Sequence, residues 1–462
     1  MFKKNIFILC CLISYSLLAQ QEFTGTLLTP QIIPEPVKIE VQHTYLPFYN
    51  QITLEFRKFS NENRELKEVI EKSVQKFQIN NSSPKNSLNI QFILNDKMVN
   101  NIKKEGYHLA VQKSGIVVEA NDQAGLFYGL QTLLQILPIK QDNNVRVTHI
   151  PYMDIIDYPR FAWRGLMLDV SRHFFNKQEV LKFIDNMVRY KYNILHLHLS
   201  DDEGWRIEIK SLPKLTEVGA WRAKRTGKWA NTKDAFEYEP KEYGGFYTQE
   251  DMKEIIKYAQ QRFVQIVPEI DVPGHSMALL AAYPFLSCSQ ENAQVHIGTP
   301  FIDWDKYPFL VAYKDNSVNP ANPLVYEYMD KIFTEIAQLF PFEYIHIGGD
   351  ECVKNYWDNN KEVKNLMAKE NLHNSEEVQA YFTKKILHLI QLKNKKIIGW
   401  DEILEGGLDS NAAVMSWRGE VGGIKASNEK HKVVMTPAEY CYLDYYQGEK
   451  MAEPPVYRGL RL

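Results

Sequence analysis

Several hallmarks of other protein classes are missing from this chain of 462 residues. It has only 5 cysteines, and no cysteine–histidine spacing typical of a zinc site. There is no dinucleotide-binding glycine fingerprint, no internal repeat and no low-complexity tract. The net charge is only -3, which gives no sign of nucleic acid or an anionic membrane as a partner. With 45% hydrophobic and 24% charged residues, the composition is that of a globular protein of two domains.

The N-terminus carries a short apolar run preceded by positive charge. Lys3 and Lys4 come before the apolar residues 6–18, and Ala19 and Gln20 lie near a plausible cleavage point. The run is too short to span a bilayer comfortably. We therefore predict a signal peptide over residues 1–20, export to the periplasm or beyond, and no transmembrane segment.

Cleavage there would leave Cys288, Cys352 and Cys441. An odd number means at least one free thiol or an intermolecular bond. A disulfide between Cys288 and Cys352 is one possibility, and two free thiols are the other.

Residues 21–150 mix strand and helix patterns and predict a small α+β domain. Alternating apolar residues predict strands at 52–56 and 88–92, with a helix at 66–77 between them. A hairpin is expected over 107–119 and a helix over 123–136. We expect residues 151–159, which begin and end with proline, to be the linker.

Residues 151–462 alternate short apolar strands with helices, which is typical of a parallel sheet. The strand candidates are 165–170, 194–199, 264–270, 344–347, 397–400, 413–416 and 433–436. Among the helices between them, we expect 177–190, 248–262, 324–340 and 375–392. So many βα units without a dinucleotide fingerprint predict an α/β fold of the (β/α)₈ TIM-barrel class, for which the eighth strand is missing from the strand candidates.

The most informative stretch is residues 346–351, an apolar strand end followed by Gly348, Gly349, Asp350 and Glu351. Glycine takes backbone angles closed to other residues, so both acids can turn toward one ligand. Two carboxylates in different environments suit acid-assisted glycoside cleavage. The alternative is an ordinary solvated loop that precedes a helix starting near Asn355.

Polar residues lie at the other strand ends as well, on the face where barrel enzymes keep their active sites. They are Ser171, Arg172, Ser200, Asp201, Asp202, Glu269, Asp271, Asp401, Glu402, Trp417, Arg418, Tyr442 and Asp444.

Several of these segments resemble glycoside hydrolase family 20, the β-N-acetylhexosaminidases. Residues 164–174, 196–206, 268–275 and 346–351 each resemble a barrel strand end of that family, and residues 125–133 resemble the last helix of its N-terminal domain. The resemblance covers the chain from about Thr24 onward and implies hydrolysis of terminal β-linked N-acetylglucosamine or N-acetylgalactosamine from an oligosaccharide or glycoconjugate. No cofactor and no metal are implied.

The resemblance implies a retaining mechanism in which the 2-acetamido group of the sugar is the nucleophile. Glu351 would protonate the leaving oxygen and then activate water. Asp350 would hold the acetamido N–H, and Asp201 and His275 would support the acid.

The same resemblance implies which residues bind the sugar. Tyr442 would hydrogen-bond the acetamido oxygen, and Trp400 and Trp417 would wall the pocket for its methyl group. Arg172 and Asp444 would bind sugar hydroxyls.

Each of these residues has a simpler interpretation when taken alone. Arg172 fits a surface salt bridge, Asp201 a helix cap, and the two tryptophans core packing. A different chemistry is a metal-dependent amino-sugar deacetylase, because His196 and His198 lie on one strand face at a metal-ligand spacing. Against it, no further histidine–carboxylate set is expected at later strand ends.

The sequence also departs from the family. After Asp444 the family continues through a further strand with sugar-binding residues, whereas this sequence ends at Leu462. From seven strand candidates we expect two unpaired barrel edges, poor expression and little activity. A truncated, inactive sugar-binding fragment is thus an alternative to the enzyme.

Overall fold

The structure is a computed structural model that describes residues 30–453, except for 49–50, 78–86, 100, 138–148, 226–232, 234, 237, 292, 304, 306–310, 447 and 450. The predicted signal peptide and residues 454–462 therefore lie outside the described residues. The chain divides into two compact units, Met1–Tyr158 and Pro159–Leu462. None of the helices in the described ranges is long and apolar enough to cross a membrane.

The first unit contains a six-stranded sheet in the order β1-β6-β4-β5-β3-β2. Its strands are β1 (Lys38–Pro47), β2 (Ile52–Arg57), β3 (Leu88–Leu94), β4 (Tyr107–Gln112), β5 (Gly115–Ala120) and β6 (His149–Asp157). Its α-helices are α1 (Arg64–Gln75) and α2 (Gln123–Ile136), and a 3₁₀ turn spans Asn61–Asn63. The Asp122 side chain caps α2 by accepting a hydrogen bond from the Gly125 N–H at 2.7 Å. The predicted strands, hairpin and helices of this unit are confirmed.

The linker prediction is wrong, because most of residues 151–159 belong to strand β6, which pairs with both β1 and β4. Proline argued against a central strand because it has no N–H to donate. The sheet accommodates Pro151 opposite Tyr45, next to a register irregularity between Val41 and Tyr45 of β1.

The second unit contains a seven-stranded parallel sheet in the order β19-β18-β17-β16-β13-β8-β7. Its strands are β7 (Gly165–Asp169), β8 (Ile194–His198), β13 (Gln265–Glu269), β16 (Tyr344–His346), β17 (Lys396–Trp400), β18 (Ala413–Ser416) and β19 (Val433–Met435). Short antiparallel pairs decorate it: β9 (Ser200–Asp201) with β10 (Gly204–Trp205), β11 (Trp221–Arg222) with β12 (Tyr243–Gly244), and β14 (Ile302–Asp303) with β15 (Val311–Ala312). All seven barrel-strand candidates are confirmed, each to within one or two residues.

Helices alternate with these strands, as a parallel sheet requires. They are α3 (Lys177–Arg189), α4 (Lys214–Glu217), α5 (Gln249–Gln260), α6 (Met277–Ala282), α7 (Pro323–Leu339), α8 (Asn355–Asn359), α9 (Lys361–Glu370), α10 (Ser375–Gln391), α11 (Glu420–Asn428) and α12 (Ala438–Cys441), with 3₁₀ turns at Pro284–Leu286 and Asp401–Leu404. The long ones begin at polar caps: Asn176 and Thr248 form capping boxes on α3 and α5, and Asn374 caps α10.

Burial follows position in the sheet. Every residue of β8 and β18 is buried, because helices or other strands cover both faces. The outer strands β7 and β19 are more exposed and, within the described part of the chain, each pairs with one barrel strand.

Of the two possibilities for Cys288 and Cys352, the structure has free thiols and no disulfide. Cys288 and Cys352 pack against the same apolar cluster around Trp357 without a disulfide, and Cys441 is also free. Burial raises the pKa of Cys352 to about 12, so this thiol stays protonated at neutral pH.

A fully buried arginine fastens the loops above the first two barrel strands. The Arg206 guanidinium donates six hydrogen bonds of 2.6–3.2 Å, all to backbone carbonyls. The carbonyls belong to Val170, Ser171, Glu203, Ala220 and Gly245. Burial lowers the pKa of Arg206 to about 10, so it remains charged at neutral pH.

Arg206→Met should therefore destabilise the second unit strongly, because it leaves several buried carbonyls without a donor. We expect a loss of about 3 kcal/mol or more in the free energy of unfolding, measured by urea denaturation. The exposed Arg189, changed in the same way, should alter stability by less than about 0.5 kcal/mol. Equal effects of the two substitutions would contradict this account.

Candidate active site

The predicted site residues lie at the C-terminal ends of the barrel strands. Arg172 follows β7, Asp201 is in β9 just after β8, His275 follows β13, Asp350 and Glu351 follow β16, Trp400 ends β17, Trp417 follows β18, and Tyr442 and Asp444 follow α12 beyond β19. Since the strands are parallel, these ends share one edge of the sheet.

The two glycines before the acids have the backbone conformations that their position suggested. Gly348 and Gly349 have φ angles of 67° and 96°. A Cβ on Gly348 would lie 1.8 Å from Asp271 Oδ1, so no larger residue fits there. Glu351 itself has a φ of 47°, a left-handed conformation that is uncommon outside glycine and concentrates at functional sites.

His275 joins the acid pair to a second carboxylate. Its Nε2 lies 3.7 Å from Asp350 Oδ2 and 3.5 Å from Glu351 Oε2. On the other side of the ring, Nδ1 hydrogen-bonds Asp201 Oδ1 at 3.1 Å. Three predicted carboxyl residues thus surround the imidazole of a fourth predicted residue, His275, whose backbone also has a left-handed φ of 47°.

Charge and burial set the protonation of these groups. Burial and the negative charges of Glu351, Glu269 and Asp201 raise the pKa of Asp350 to about 6, although His275 opposes them. Burial also disfavours ionised Asp201, but Arg172 and His275 outweigh it and hold the pKa of Asp201 well below its usual range.

Two further carboxyls beside this cluster favour the protonated form. Burial and the charge of Asp350 raise the pKa of both Asp271 and Glu402 well above the usual carboxyl value. Glu402 also accepts a hydrogen bond of 2.9 Å from the Trp417 indole N–H. The Asp350 carboxyl therefore lies in a region crowded with acids.

Arg172 is held by three carboxylates. Its guanidinium lies 2.7 Å from Asp201 Oδ2, 3.0 Å from Asp169 Oδ2 and 3.3 Å from Glu203 Oε2. The arginine side chain is about a third exposed, whereas Asp201 and Glu203 are buried. The carboxylates therefore fix the orientation of the guanidinium, while part of the arginine side chain remains exposed to solvent.

A buried carboxylate collects four side chains beneath the site. Glu269, which is fully buried, accepts from the Trp400 indole N–H at 3.0 Å and bonds His198 Nδ1 at 2.6 Å. His196 Nε2 lies 2.8 Å and His346 Nδ1 3.1 Å from its oxygens. His198 Nε2 in turn hydrogen-bonds Asp201 Oδ2 at 2.7 Å, so His198 connects Glu269 to Asp201. Burial disfavours a charged His198, but Glu269 and Asp169 outweigh it and raise the pKa of His198.

The predicted aromatic wall divides into two parts. Trp400 is 4% exposed and packs against His346, with ring centroids 4.8 Å apart, so it belongs to the barrel interior. Trp417 is half-buried and stacks on Tyr442 at a centroid distance of 6.3 Å. Asp444 Oδ1 is buried and, among the described residues, has no hydrogen-bond partner.

The structure corrects one statement about metal ligands. Histidine–carboxylate sets do occur at later strand ends, in four groups: His196–Glu269–His346, His198–Asp201–Asp271, Asp201–Asp202–His275 and Asp271–His275–Asp350. In the first group the contacts to Glu269 are 2.8 and 3.1 Å, whereas ligand atoms of tetrahedral zinc lie about 3.3 Å apart. Both contacts are shorter than that ligand spacing, and metal analysis of the purified protein is the direct test of the deacetylase alternative.

Three carboxylates of this cluster had no role assigned from the sequence, namely Glu203, Glu269 and Glu402, and His198 was considered only as a metal ligand. Glu269 ends an apolar strand, Glu402 follows one closely, and Glu203 lies in the turn between β9 and β10; all three are buried, which is costly for a charge unless a partner is present. Their positions could have marked them as candidates in the sequence. The groups that they contact come from distant parts of the chain, so the contacts themselves could not be predicted.

The raised pKa of Asp350 predicts a stability effect. The unfolded chain ionises this carboxyl near pH 4 and the folded chain near pH 6, so the cost of ionisation is absent below about pH 4 and complete above about pH 6. Asp350→Asn should therefore stabilise the protein at pH 7.5, by about 1–3 kcal/mol, and much less at pH 4. Thermal melts at both pH values measure this. The exposed Asp330→Asn is the control, and an equal gain at the two pH values would argue against the assigned cause.

Comparison with known proteins shows which family the sequence matches. Residues 161–460 match the family described as "Glycosyl hydrolase family 20, catalytic domain", and residues 29–158 match its "domain 2". A "Beta-hexosaminidase" of Porphyromonas gingivalis is 42% identical over 363 residues, which are 78% of this chain and 43% of that protein. A "Beta-hexosaminidase" of Vibrio furnissii is 35% identical over 76% of this chain and 54% of its own length.

Solved structures give the same result. An exo β-N-acetylglucosaminidase from Vibrio harveyi, solved in complex with N-acetylglucosamine, aligns with a TM-score of 0.75 at 32% identity, over 92% of this chain and 63% of that one. The chain spans about half the length of the curated relatives named above. Two adjoining family matches, together covering most of the sequence, establish that the chain belongs to glycosyl hydrolase family 20.

Proposed function

We propose that this protein is an exo-acting β-N-acetylhexosaminidase that releases terminal β-linked N-acetylglucosamine or N-acetylgalactosamine. One observation carries the proposal. Asp350 Oδ1 is a buried acceptor without a hydrogen-bond partner in the described structure, and it lies beside Glu351 and His275. A buried acceptor is costly to leave unpaired, and the N–H of a bound 2-acetamido group would satisfy it.

In the first step, the acetamido carbonyl oxygen attacks the anomeric carbon and the bond to the leaving oxygen breaks. Glu351 donates its proton to that oxygen, so the leaving group departs as a neutral alcohol. The sugar becomes an oxazolinium ion with positive charge on the ring that contains the acetamido nitrogen. Ionised Asp350 accepts the N–H and balances this charge.

In the second step, water attacks the anomeric carbon from the side that the leaving group vacated. Glu351, now ionised, takes the proton from water, and the acetamido group is regenerated. Both steps invert the anomeric carbon, so the product retains the β configuration. His275 and Asp201 stabilise the alternating charge of the acid pair through the contacts given above.

The remaining residues fit sugar recognition. Arg172 is partly exposed and already oriented, as a donor to hydroxyl groups should be. Asp444 contributes a second unpaired buried oxygen that a sugar hydroxyl would satisfy. The stacked Trp417 and Tyr442 present an aromatic surface with a hydroxyl at its edge, which suits an acetamido group.

The first test of this function is substrate preference. The complete catalytic domain should cleave a 4-nitrophenyl β-N-acetylglucosaminide with kcat/KM at least about 10³-fold above the matching β-glucoside, because the glucoside lacks the internal nucleophile. Initial rates with both substrates measure it, and a metal assay on the same sample tests the deacetylase alternative. Equal turnover of the two glycosides would refute the proposal.

The second test separates the two acids. Glu351→Gln should slow an oligosaccharide substrate by about 10²–10⁴-fold and slow 4-nitrophenyl glycosides less, because nitrophenolate leaves without protonation. Asp350→Asn should slow both substrates to a similar extent, by about 10²-fold, because it acts on the internal nucleophile. If the two variants had the same dependence on leaving group, the roles would be wrongly assigned. The exposed Asp330→Asn serves again as the control.

A further inference from the structure

A buried histidine outside the acid cluster has both ring nitrogens engaged. His296 is 4% exposed, and its Nε2 lies 2.7 Å from the carbonyl oxygen of Thr299. A carbonyl only accepts, so this nitrogen carries a proton. Its Nδ1 lies 2.5 Å from Glu203 Oε1, where an ionised carboxylate also accepts. The geometry is that of an imidazolium bound to a carboxylate.

The other oxygen of the same carboxylate faces the sugar-binding arginine. Glu203 Oε2 lies 3.3 Å from Arg172 Nε, and the glutamate side chain is only 4% exposed. Asp169 and Asp201 hold the terminal guanidinium nitrogens, so Glu203 sets the remaining edge of the group. One carboxylate therefore connects His296 to Arg172.

The histidine also fastens a segment that reaches the acid pair. The backbone N–H of His296 donates to the Asp202 carbonyl at 2.9 Å, and the imidazole ring packs edge-on against Phe301 at a centroid distance of 4.6 Å. Phe301 belongs to an apolar cluster with Met277 and Val353, and Val353 lies two residues beyond Glu351. Residues 296–301 thus join the Arg172 side of the site to the Glu351 side.

We propose that His296 is a positioning residue: as an imidazolium it holds Glu203 against Arg172 and fixes residues 296–301 across the site, so that sugar affinity depends on its proton. This rests on the proposed function, in which Arg172 binds sugar hydroxyls. Arg172 touches the substrate, and His296 acts through Glu203. The mechanism of bond cleavage does not use His296, so its effect belongs to binding.

The charges around His296 give the direction of the pH dependence. Glu203 and Asp202 face it from the turn between β9 and β10, Arg172 reaches Glu203 from the end of β7, and Arg222 acts on Glu203 from β11. Burial disfavours the charged ring, but the hydrogen bond and charge of Glu203 outweigh it and raise the pKa of His296. The contact is therefore complete at pH 6 and is lost as the pH rises through the raised value.

The test uses the full chain with His296→Gln and follows KM and kcat for a 4-nitrophenyl β-N-acetylglucosaminide from pH 6 to 9. At pH 6 we expect KM to rise about tenfold while kcat changes less than about threefold, since a hydrogen bond between charged groups is lost. In the wild type KM should rise with pH, and in the variant it should stay high and flat. Glu203→Gln should likewise give a high KM that does not change with pH, because it removes the carboxylate that pairs with His296.

A matched control is His431→Gln, because His431 is also buried and bonds a carbonyl, that of Ala412, but lies before the N-terminal end of β19. Its KM profile should follow the wild type. The inference would be overturned if His296→Gln and Glu203→Gln both kept the wild-type KM profile while thermal melts showed that both variants are folded. So would a fall in kcat without a change in KM.

A measurement without turnover separates this inference from the proposed function. In ¹⁵N-histidine-labelled protein, the His296 resonances, assigned by their loss in His296→Gln, should show protons on both nitrogens at pH 7, and Glu203→Gln should lower the titration midpoint. A wild type that cleaves no N-acetylhexosaminide refutes the proposed function, and calorimetric binding of N-acetylglucosamine then replaces KM as the affinity readout. A neutral His296 ring at pH 6, or no sugar binding, overturns the inference as well.

Discussion

The burial of many carboxyl groups at one edge of the barrel is the constraint on which the rest of the site depends. Five of them lie at or directly after strand ends: Asp201, Glu269, Asp271, Asp350 and Glu402. Ionised carboxylates are costly to remove from water, and mutual repulsion adds to that cost. The structure answers the problem in two ways. Asp201 and Glu269 remain ionised because histidines and an arginine surround them, whereas Asp271 and Glu402 favour the protonated form. Asp350 is intermediate, since its pKa of about 6 lies between these groups.

The register of the parallel sheet makes this arrangement possible. Glu269 is paired with His198 on one side and His346 on the other, and His198 is paired in turn with Asp169. These four residues form one row across four adjacent strands, so acids and imidazoles alternate along it. Because side chains of neighbouring strands in one row point to the same side, each carboxylate meets a histidine from the adjoining strand. A shift of one strand by one residue would separate every pair in the row.

Much of the fold was predictable from the sequence, and the failures have clear physical causes. Short apolar strands and capped helices are recognisable locally, so the seven barrel strands and the four long helices were predicted to within about two residues. Strand β1 was missed because its apolar alternation is short: only Ile39 and Val41 alternate with polar residues before the polar stretch 42–44 interrupts the pattern. Strand β6 was missed because proline within it argued for a linker. In the site, the residue types and strand ends were predictable, but pairings such as His296 with Glu203 join residues 93 positions apart and follow only from the three-dimensional fold.

The contacts that lead to the acid pair become longer toward the substrate side. His198 bonds Glu269 at 2.6 Å and Asp201 at 2.7 Å, Asp201 bonds His275 at 3.1 Å, and His275 lies 3.5 Å from Glu351. Glu269, His198 and Asp201 thus satisfy one another, while the groups assigned to catalysis are left with longer protein contacts. Glu351 and His275 also hold left-handed backbone angles, a local cost that the surrounding fold must offset. A site built this way is rigid in its buried part, where residues only support the charge of the acid pair. It remains open to new hydrogen bonds where a substrate would bind, as at Asp350 Oδ1, a buried acceptor that has no hydrogen-bond partner among the described residues and lies next to the proposed proton donor.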